Sequence, residues 1–189
     1  KFTSCADFWS TVSGYCAPKK KLYIYSHNLS FDLAVSQGIY WLFNNGWENT
    51  SRIIGQRILA LTYRKGPLTI ALVDTINLFN MSLEALGEYI GYPKLTMPDE
   101  GAPTDEWDTY CKNDVSILVA ALQSWWHMIK VEDLGNYSVT CASQAMTAYR
   151  HRFMSVPIFI DNNEDAQKLG RAAYCGGRNE AFFIGEVPE

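Results

Sequence analysis

The 189 residues carry a formal charge of −4, with 48% hydrophobic and 14% aromatic side chains, enough to bury a sizeable core in one domain or in a domain with an appendage. No uninterrupted apolar run approaches the roughly twenty residues that cross a bilayer as a helix, and no charged-then-apolar leader follows Lys1, so neither a membrane helix nor a secretory signal is expected. The acidic balance excludes a generic nucleic-acid coat protein but leaves room for an enzyme that gathers acidic residues at metals.

In chain order, Phe8, Trp9, Val12 and Tyr15 recur at helical intervals within residues 4–16, and Gly14 stands near the stop, which predicts a short helix. Leu22-Tyr23-Ile24-Tyr25, entered from Lys19-Lys20-Lys21, reads as a buried strand. Ser26, Asn28 and Ser30 then supply turn and capping chemistry. From Asp32 onward Leu33, Val35, Ile39, Leu42 and Phe43 predict one helix running to about Asn45-Gly46. Two apolar segments, 53–63 and 68–74, joined by Arg64-Lys65-Gly66-Pro67, predict a β-hairpin. Ser82 can cap a helix with Leu83, Leu86 and Ile90 on one face, which Gly91-Tyr92-Pro93 ends. Residues 94–103, with proline and glycine beside Asp99 and Glu100, predict a mobile surface loop. Thr104 opens the longest helix, with Asp105 and Glu106 in its first turn, and it continues to about Lys130. Its apolar side, Val115, Leu118, Val119, Leu122 and Trp126, is expected to lie against a sheet. Residues 141–153 predict a further helix ending in Arg150-His151-Arg152, and Asn162 can cap a shorter one through Arg171 that Tyr174-Cys175-Gly176-Gly177 breaks. Five cysteines, Cys5, Cys16, Cys111, Cys141 and Cys175, lack zinc spacing and fit reduced intracellular thiols.

Two constellations carry chemistry. The first strand delivers Asp32 to a sheet edge, in the crevice where α/β sheets bind ligands; the alternative is that Asn28 and Asp32 only cap a helix. On the long helix, Tyr110 and Asp114 lie one turn apart and present a phenol and a carboxylate to the same place; the alternative is an exposed Asp beside a half-buried Tyr. An Asn-x-x-Phe-Asp at 28–32 followed 82 positions further on by the Asp of a Tyr-x-x-x-Asp is much rarer by chance than either half alone.

These signatures resemble the second and third motifs of the 3′–5′ proofreading exonucleases, whose fold is α/β and ribonuclease-H-like. The resemblance implies that Asp32 and Asp114 are ligands of two divalent ions, Mg²⁺ or Mn²⁺, and that Tyr110 orients the attacking water. It also implies that His27, Asn28 and Phe31 hold the 3′-terminal nucleotides of single-stranded DNA by hydrogen bonding and stacking. The segment Ala173-Tyr174-Cys175-Gly176-Gly177-Arg178 is similar to the Tyr-x-Gly-Gly motif of protein-primed family B DNA polymerases, which implies template contacts by Tyr174, Gly176, Gly177 and Arg178. Paired glycines let a backbone approach a phosphate closely, and Arg178 can add a charge-assisted contact. Ser82-Leu83-Glu84-Ala85-Leu86 is similar to that family's Ser/Thr-Leu-x-x-hydrophobic motif, linked to single-stranded DNA and the priming terminal protein. Lys94-Leu95-Thr96-Met97 is similar to its Lys-x-x-hydrophobic motif, whose lysine assists exonucleolysis.

The expectations are therefore an α/β, ribonuclease-H-like exonuclease domain over residues 1–160 and a connector over 161–189 leading towards a polymerase domain. The implied partners are single-stranded and primer-template DNA, the terminal protein and the remainder of a polymerase chain, inside a cell, in a viral, plasmid or organellar setting. The family's Asp-x-Glu motif occurs nowhere in these residues, so the first strand is expected to be missing and the isolated chain to be a weak nuclease, unless another acid such as Asp74 completes the site. A free-standing 3′–5′ exonuclease and a non-catalytic module that binds DNA or the terminal protein are the alternatives.

Overall fold

The computed structural model describes residues 2–55, 59–157, 159 and 162–173. Four strands, β1 (Lys21–Ser26), β2 (Glu48–Ile54), β3 (Leu59–Lys65) and β4 (Leu68–Asp74), form one sheet in the order β1-β4-β3-β2. β1 runs parallel to β4, and the other two pairings are antiparallel, as the 64–67 turn requires for β3 and β4. Register sorts the side chains by row. Ile24, Leu72 and Leu61 stand side by side, as do Leu22, Ile70 and Tyr63, and alternation puts both rows on one face. That face packs on Trp9, Leu29, Leu33, Leu42 and Trp47. It is thus covered by α1 (Cys5–Gly14), α2 (Leu29–Val35) and α3 (Gly38–Asn44). Full burial of a side chain such as Leu42 or Leu72 contributes about 1.5–3 kcal/mol.

The other face presents Tyr23 and Tyr25. The Tyr25 ring meets Trp126 edge-on at 5.8 Å, and Tyr137 lies 5.9 Å from Tyr23 and 6.5 Å from Tyr25. Trp126 belongs to α5 (Thr104–Val131), which packs through Ile117 and Ala121 against Leu86 of α4 (Leu83–Tyr89). The first unit, Lys1–Phe153, is therefore an α/β structure with a mixed four-stranded sheet. Within it, α6 (Cys141–Ala148) leads into a π-helical turn at Tyr149–Phe153. The second unit, Met154–Glu189, contains α7 (Glu164–Ala173). Tyr174, Gly176, Gly177 and Arg178 lie outside the described residues.

Four expectations are corrected. The single helix after Asp32 is two, because Gln37 adopts a left-handed conformation (φ 52°) and ends α2. Gly38 then opens α3 against Trp9, where a Cβ would lie 2.4 Å from the indole, so only glycine lets the two helices approach. Residues 53–63 are the end of β2 and most of β3 rather than one strand. Of the apolar side expected for α5, Leu122 is buried, Leu118 is partly buried and Trp126 meets the sheet at Tyr25, but Val115 and Val119 are exposed, while Ile117, Ala121 and Ile129 are buried instead. The buried Ala121 and Ile117 continue at helical spacing into the half-buried Asp114 and Tyr110. The last two members of this stripe are polar, which hid it. Finally, Asn163 rather than Asn162 caps α7, its Oδ1 accepting from the N–H groups of Asp165 and Ala166 at 3.0 and 3.1 Å, and that helix continues to Ala173.

Candidate functional site

Parallel pairing brings Ser26 at the end of β1 beside Asp74 at the end of β4. The Asp74 carboxylate accepts the backbone N–H groups of Asn28 (3.1 Å), Leu29 (2.9 Å) and Ile76 (3.0 Å). It thereby holds the β1–α2 corner, in which Asn28 takes the left-handed conformation (φ 77°) that asparagine tolerates better than most residues. Thr75 donates to the Ser26 carbonyl at 3.1 Å and lies 2.8 Å from His27 Nδ1, while His27 Nε2 reaches the Met81 carbonyl at 3.0 Å. His27 thus ties the corner to the segment that precedes α4. There the Ser82 hydroxyl caps the helix by accepting from the Ala85 N–H at 3.1 Å. Asn28, Ser30, Asp74, Met81 and Ser82 line a cleft of about 700 Å³, together with Ile54 and Gly55. Leu83 turns instead into the core between α4 and α5.

One turn into α2, Asp32 accepts a hydrogen bond from the Ser26 hydroxyl. With Ser26 and Tyr25 it borders a second cleft, of about 590 Å³, beside Cys5 and Phe8 of α1. Phe31 is 62% exposed, so it serves no packing role that would account for a large aromatic there.

A third group forms on α5. The Lys94 ammonium donates to the Tyr110 hydroxyl and to Asp114 Oδ2, the latter at 2.9 Å, and sits 4.0 Å from the centre of the Tyr110 ring. Burial opposes the charge on Lys94, but hydrogen bonds to Tyr110 and Asp114 and the Asp114 charge outweigh it and hold its pKa above the ordinary lysine value. The loop does not begin freely. Asn113 on the same helix accepts the Leu95 N–H at 3.1 Å and donates to the Pro93 carbonyl at 3.4 Å, so the segment around Lys94 is pinned where mobility was expected. Trp107 packs edge-on against Tyr110 at 6.1 Å. Asp114 Oδ1 is buried and has no hydrogen-bond partner.

The sequence-predicted residues thus fall into three sets: Tyr110 and Asp114, each bonded to Lys94; Asn28 and Ser82 on the first cleft, with His27 bonded to Met81 of its lining; and Phe31 and Asp32 on α2. Sequence reasoning missed Thr75 and the bracing use of Asp74. The available signal was an acid at the end of an otherwise apolar strand. Asp74 is buried and its oxygens are occupied by three backbone N–H groups, so it is not a free metal ligand.

Among the described residues no three His, Cys, Asp or Glu side chains gather into a metal-holding group. A hard divalent cation fits the donor set in one respect: the orphaned Asp114 Oδ1 is a buried carboxylate oxygen that such an ion would satisfy. Among the described residues no helix is long and apolar enough to cross a membrane. The chain matches no protein-family model, no curated protein and no solved structure.

Proposed function

We propose that this chain is the 3′–5′ proofreading exonuclease part of a protein-primed family B DNA polymerase, built on a ribonuclease-H-like fold and removing 3′-terminal nucleotides from single-stranded DNA. The observation that supports this reading is the contact among Lys94, Tyr110 and Asp114. Two separate motifs single these residues out, and they converge although the chain between Lys94 and Tyr110 includes a loop without regular structure. Asp114 keeps one oxygen unpaired beside them.

In this reading Asp32 and Asp114 hold Mg²⁺ or Mn²⁺, which when bound activates water and offsets the charge on the departing 3′ oxygen. Tyr110, fixed by Lys94 and Trp107, orients the water through its hydroxyl. The Lys94 ammonium, kept protonated by its two partners, supplies positive charge next to the scissile phosphate. Asn28 offers its free amide donors to the terminal nucleotide, since its Oδ1 already accepts the Ser30 hydroxyl at 3.0 Å, and the exposed Phe31 ring offers a stacking surface. His27 and Ser82 shape the cleft beside them. The reading extends to residues 1–160 as the exonuclease domain, to 161–189 as the connector with Tyr174, Gly176, Gly177 and Arg178 on the template, and to the terminal protein and primer-template DNA as partners.

A single-stranded oligonucleotide labelled at its 5′ end tests the proposal. With Mn²⁺ the chain should shorten it stepwise from the 3′ end, slowly because two carboxylates are a sparse ligand set, and Asp114→Ala should abolish the ladder. Internal cuts, shortening from the 5′ end, or a ladder unaffected by Asp114→Ala would contradict it. The absence of a three-acid group among the described residues favours a second reading, a non-catalytic module that binds DNA or the terminal protein. It predicts binding with no ladder in any metal.

A further inference from the structure

The sheet has a second charged feature at the end opposite the clefts. Register places Lys21 of β1 opposite Thr69 of β4, Arg64 of β3 opposite the same Thr69, and Lys65 opposite Leu68. Lys19 and Lys20 immediately precede Lys21. Five cations are thereby brought to the ends of three adjacent strands, a span of only about 10 Å at ~4.8 Å between strands. All five are exposed, and none takes part in an ion pair among the described residues. Glu48, opposite Arg64 across the β2–β3 pairing, is the carboxylate that register places at this end. The turn before β1 also holds Lys19 in the left-handed conformation (φ 62°), a geometry that is unfavourable for a non-glycine residue. The Lys20 N–H donates to the Ala17 carbonyl at 3.1 Å and fixes that turn.

Like charges crowded together repel one another, and five cations met only by Glu48 and by the Tyr23 ring, 5.6 Å from the Lys21 ammonium, make a binding surface for a polyanion rather than a stabilising feature of the fold. The chain as a whole is acidic at −4, so the attraction has to be local. We infer that the Lys19-Lys20-Lys21 turn together with Arg64 and Lys65 forms a contact for the phosphate backbone of duplex DNA. It lies about 17 Å along β1 from the clefts at the other end of the strand. Nucleic acid is the partner because its phosphates recur every ~3.4 Å of axis per strand, dense enough to meet several of these cations at once. That choice of partner class rests on the proposed function, whereas the charge constellation does not.

Fluorescence anisotropy with a blunt, fluorescein-labelled DNA duplex, read between about 50 and 200 mM NaCl, tests the inference. Two variants on different strands, Lys19→Gln/Lys20→Gln/Lys21→Gln and Arg64→Gln/Lys65→Gln, change only exposed side chains. The plot of log affinity against log salt should become shallower by roughly 3 in the first and roughly 2 in the second, at about 0.9 per phosphate contact. In the triple variant that removes roughly fortyfold of the affinity lost over this salt range. Unchanged slopes, or no duplex binding by the parent chain, would overturn the inference. So would competition by polyglutamate as effective per charge as unlabelled duplex, which would point to an acidic protein segment. Altered slopes in a chain that yields no metal-dependent ladder would uphold this surface and reject the exonuclease reading alone.

Discussion

The carboxylate of Asp74 accepts the backbone N–H of Asn28 at 3.1 Å, so the end of β4 dictates the left-handed corner from which α2 departs. The same carboxylate also serves Leu29 and Ile76. Asp74→Ala would leave three N–H groups without their acceptor, each orphan costing about 1–3 kcal/mol when buried. The variant should therefore lose roughly 3 kcal/mol or more in urea unfolding. A midpoint within error of the parent would mean that water replaces the carboxylate and that the corner is set by other contacts.

Lys94 and Asp114 should be energetically coupled. Lys94→Met leaves a largely buried carboxylate without its cation, and Asp114→Asn leaves the ammonium without its counter-charge. The double variant should be destabilised by less than the sum of the two single changes, because each single change already removes the shared contact. A double-mutant cycle should return a coupling of about 1.5–3 kcal/mol, the range of a charged hydrogen bond. Additive effects would show that the contact contributes nothing net.

Exposure of Phe31 separates packing from binding. Removing an exposed ring changes stability by about 0.5 kcal/mol or less, whereas removing a base-stacking platform costs ~1–3 kcal/mol of binding. Phe31→Ala should therefore melt like the parent and bind a fluorescent single-stranded oligonucleotide roughly tenfold more weakly. A lowered melting temperature with unchanged affinity would reverse the assignment.

Stability should fall in alkali. Burial pushes the Tyr25 and Tyr137 phenols above their ordinary pKa of 10.0, and it does the same for Tyr63, where Arg52 opposes it in part. A raised pKa means that the folded chain binds the proton more tightly than the unfolded one. Its contribution is therefore complete below pH 10.0 and is lost as pH rises from there through the folded-state values. Lys94 acts in the same sense above 10.5. Melting temperatures taken between about pH 9 and 11.5 should drop less steeply in Tyr25→Phe than in the parent. Parallel curves would remove Tyr25 as a source of the effect.

Much of this was legible in the residues. The β3–β4 hairpin, the Ser82 cap and the span of α5 followed from turn chemistry and periodicity; helical spacing paired Tyr110 with Asp114, and the resemblance to polymerase exonuclease motifs added Lys94, which bonds to both. What escaped depended on tertiary geometry. The break at Gln37 exists so that Gly38 can meet Trp9, a contact between helices that no local pattern encodes. The buried stripe of α5 was misplaced because Tyr110 and Asp114 extend it with polar groups, which a hydrophobic pattern assigns to solvent. Asp74 was invisible as a brace because only strand pairing sets its carboxylate beneath the Asn28 corner.

The central claim is that Asp32 and Asp114, on different helices, serve one metal site. Iron-directed cleavage tests it without requiring turnover: Fe²⁺ bound in place of Mg²⁺, with ascorbate and peroxide, generates hydroxyl radicals that cut the backbone next to the ion. The account predicts cuts flanking both Asp32 and Asp114, suppressed together by excess Mg²⁺ and both lost in either Asp32→Ala or Asp114→Ala. Cuts beside one carboxylate only, or survival of one set when the other carboxylate is removed, would contradict it.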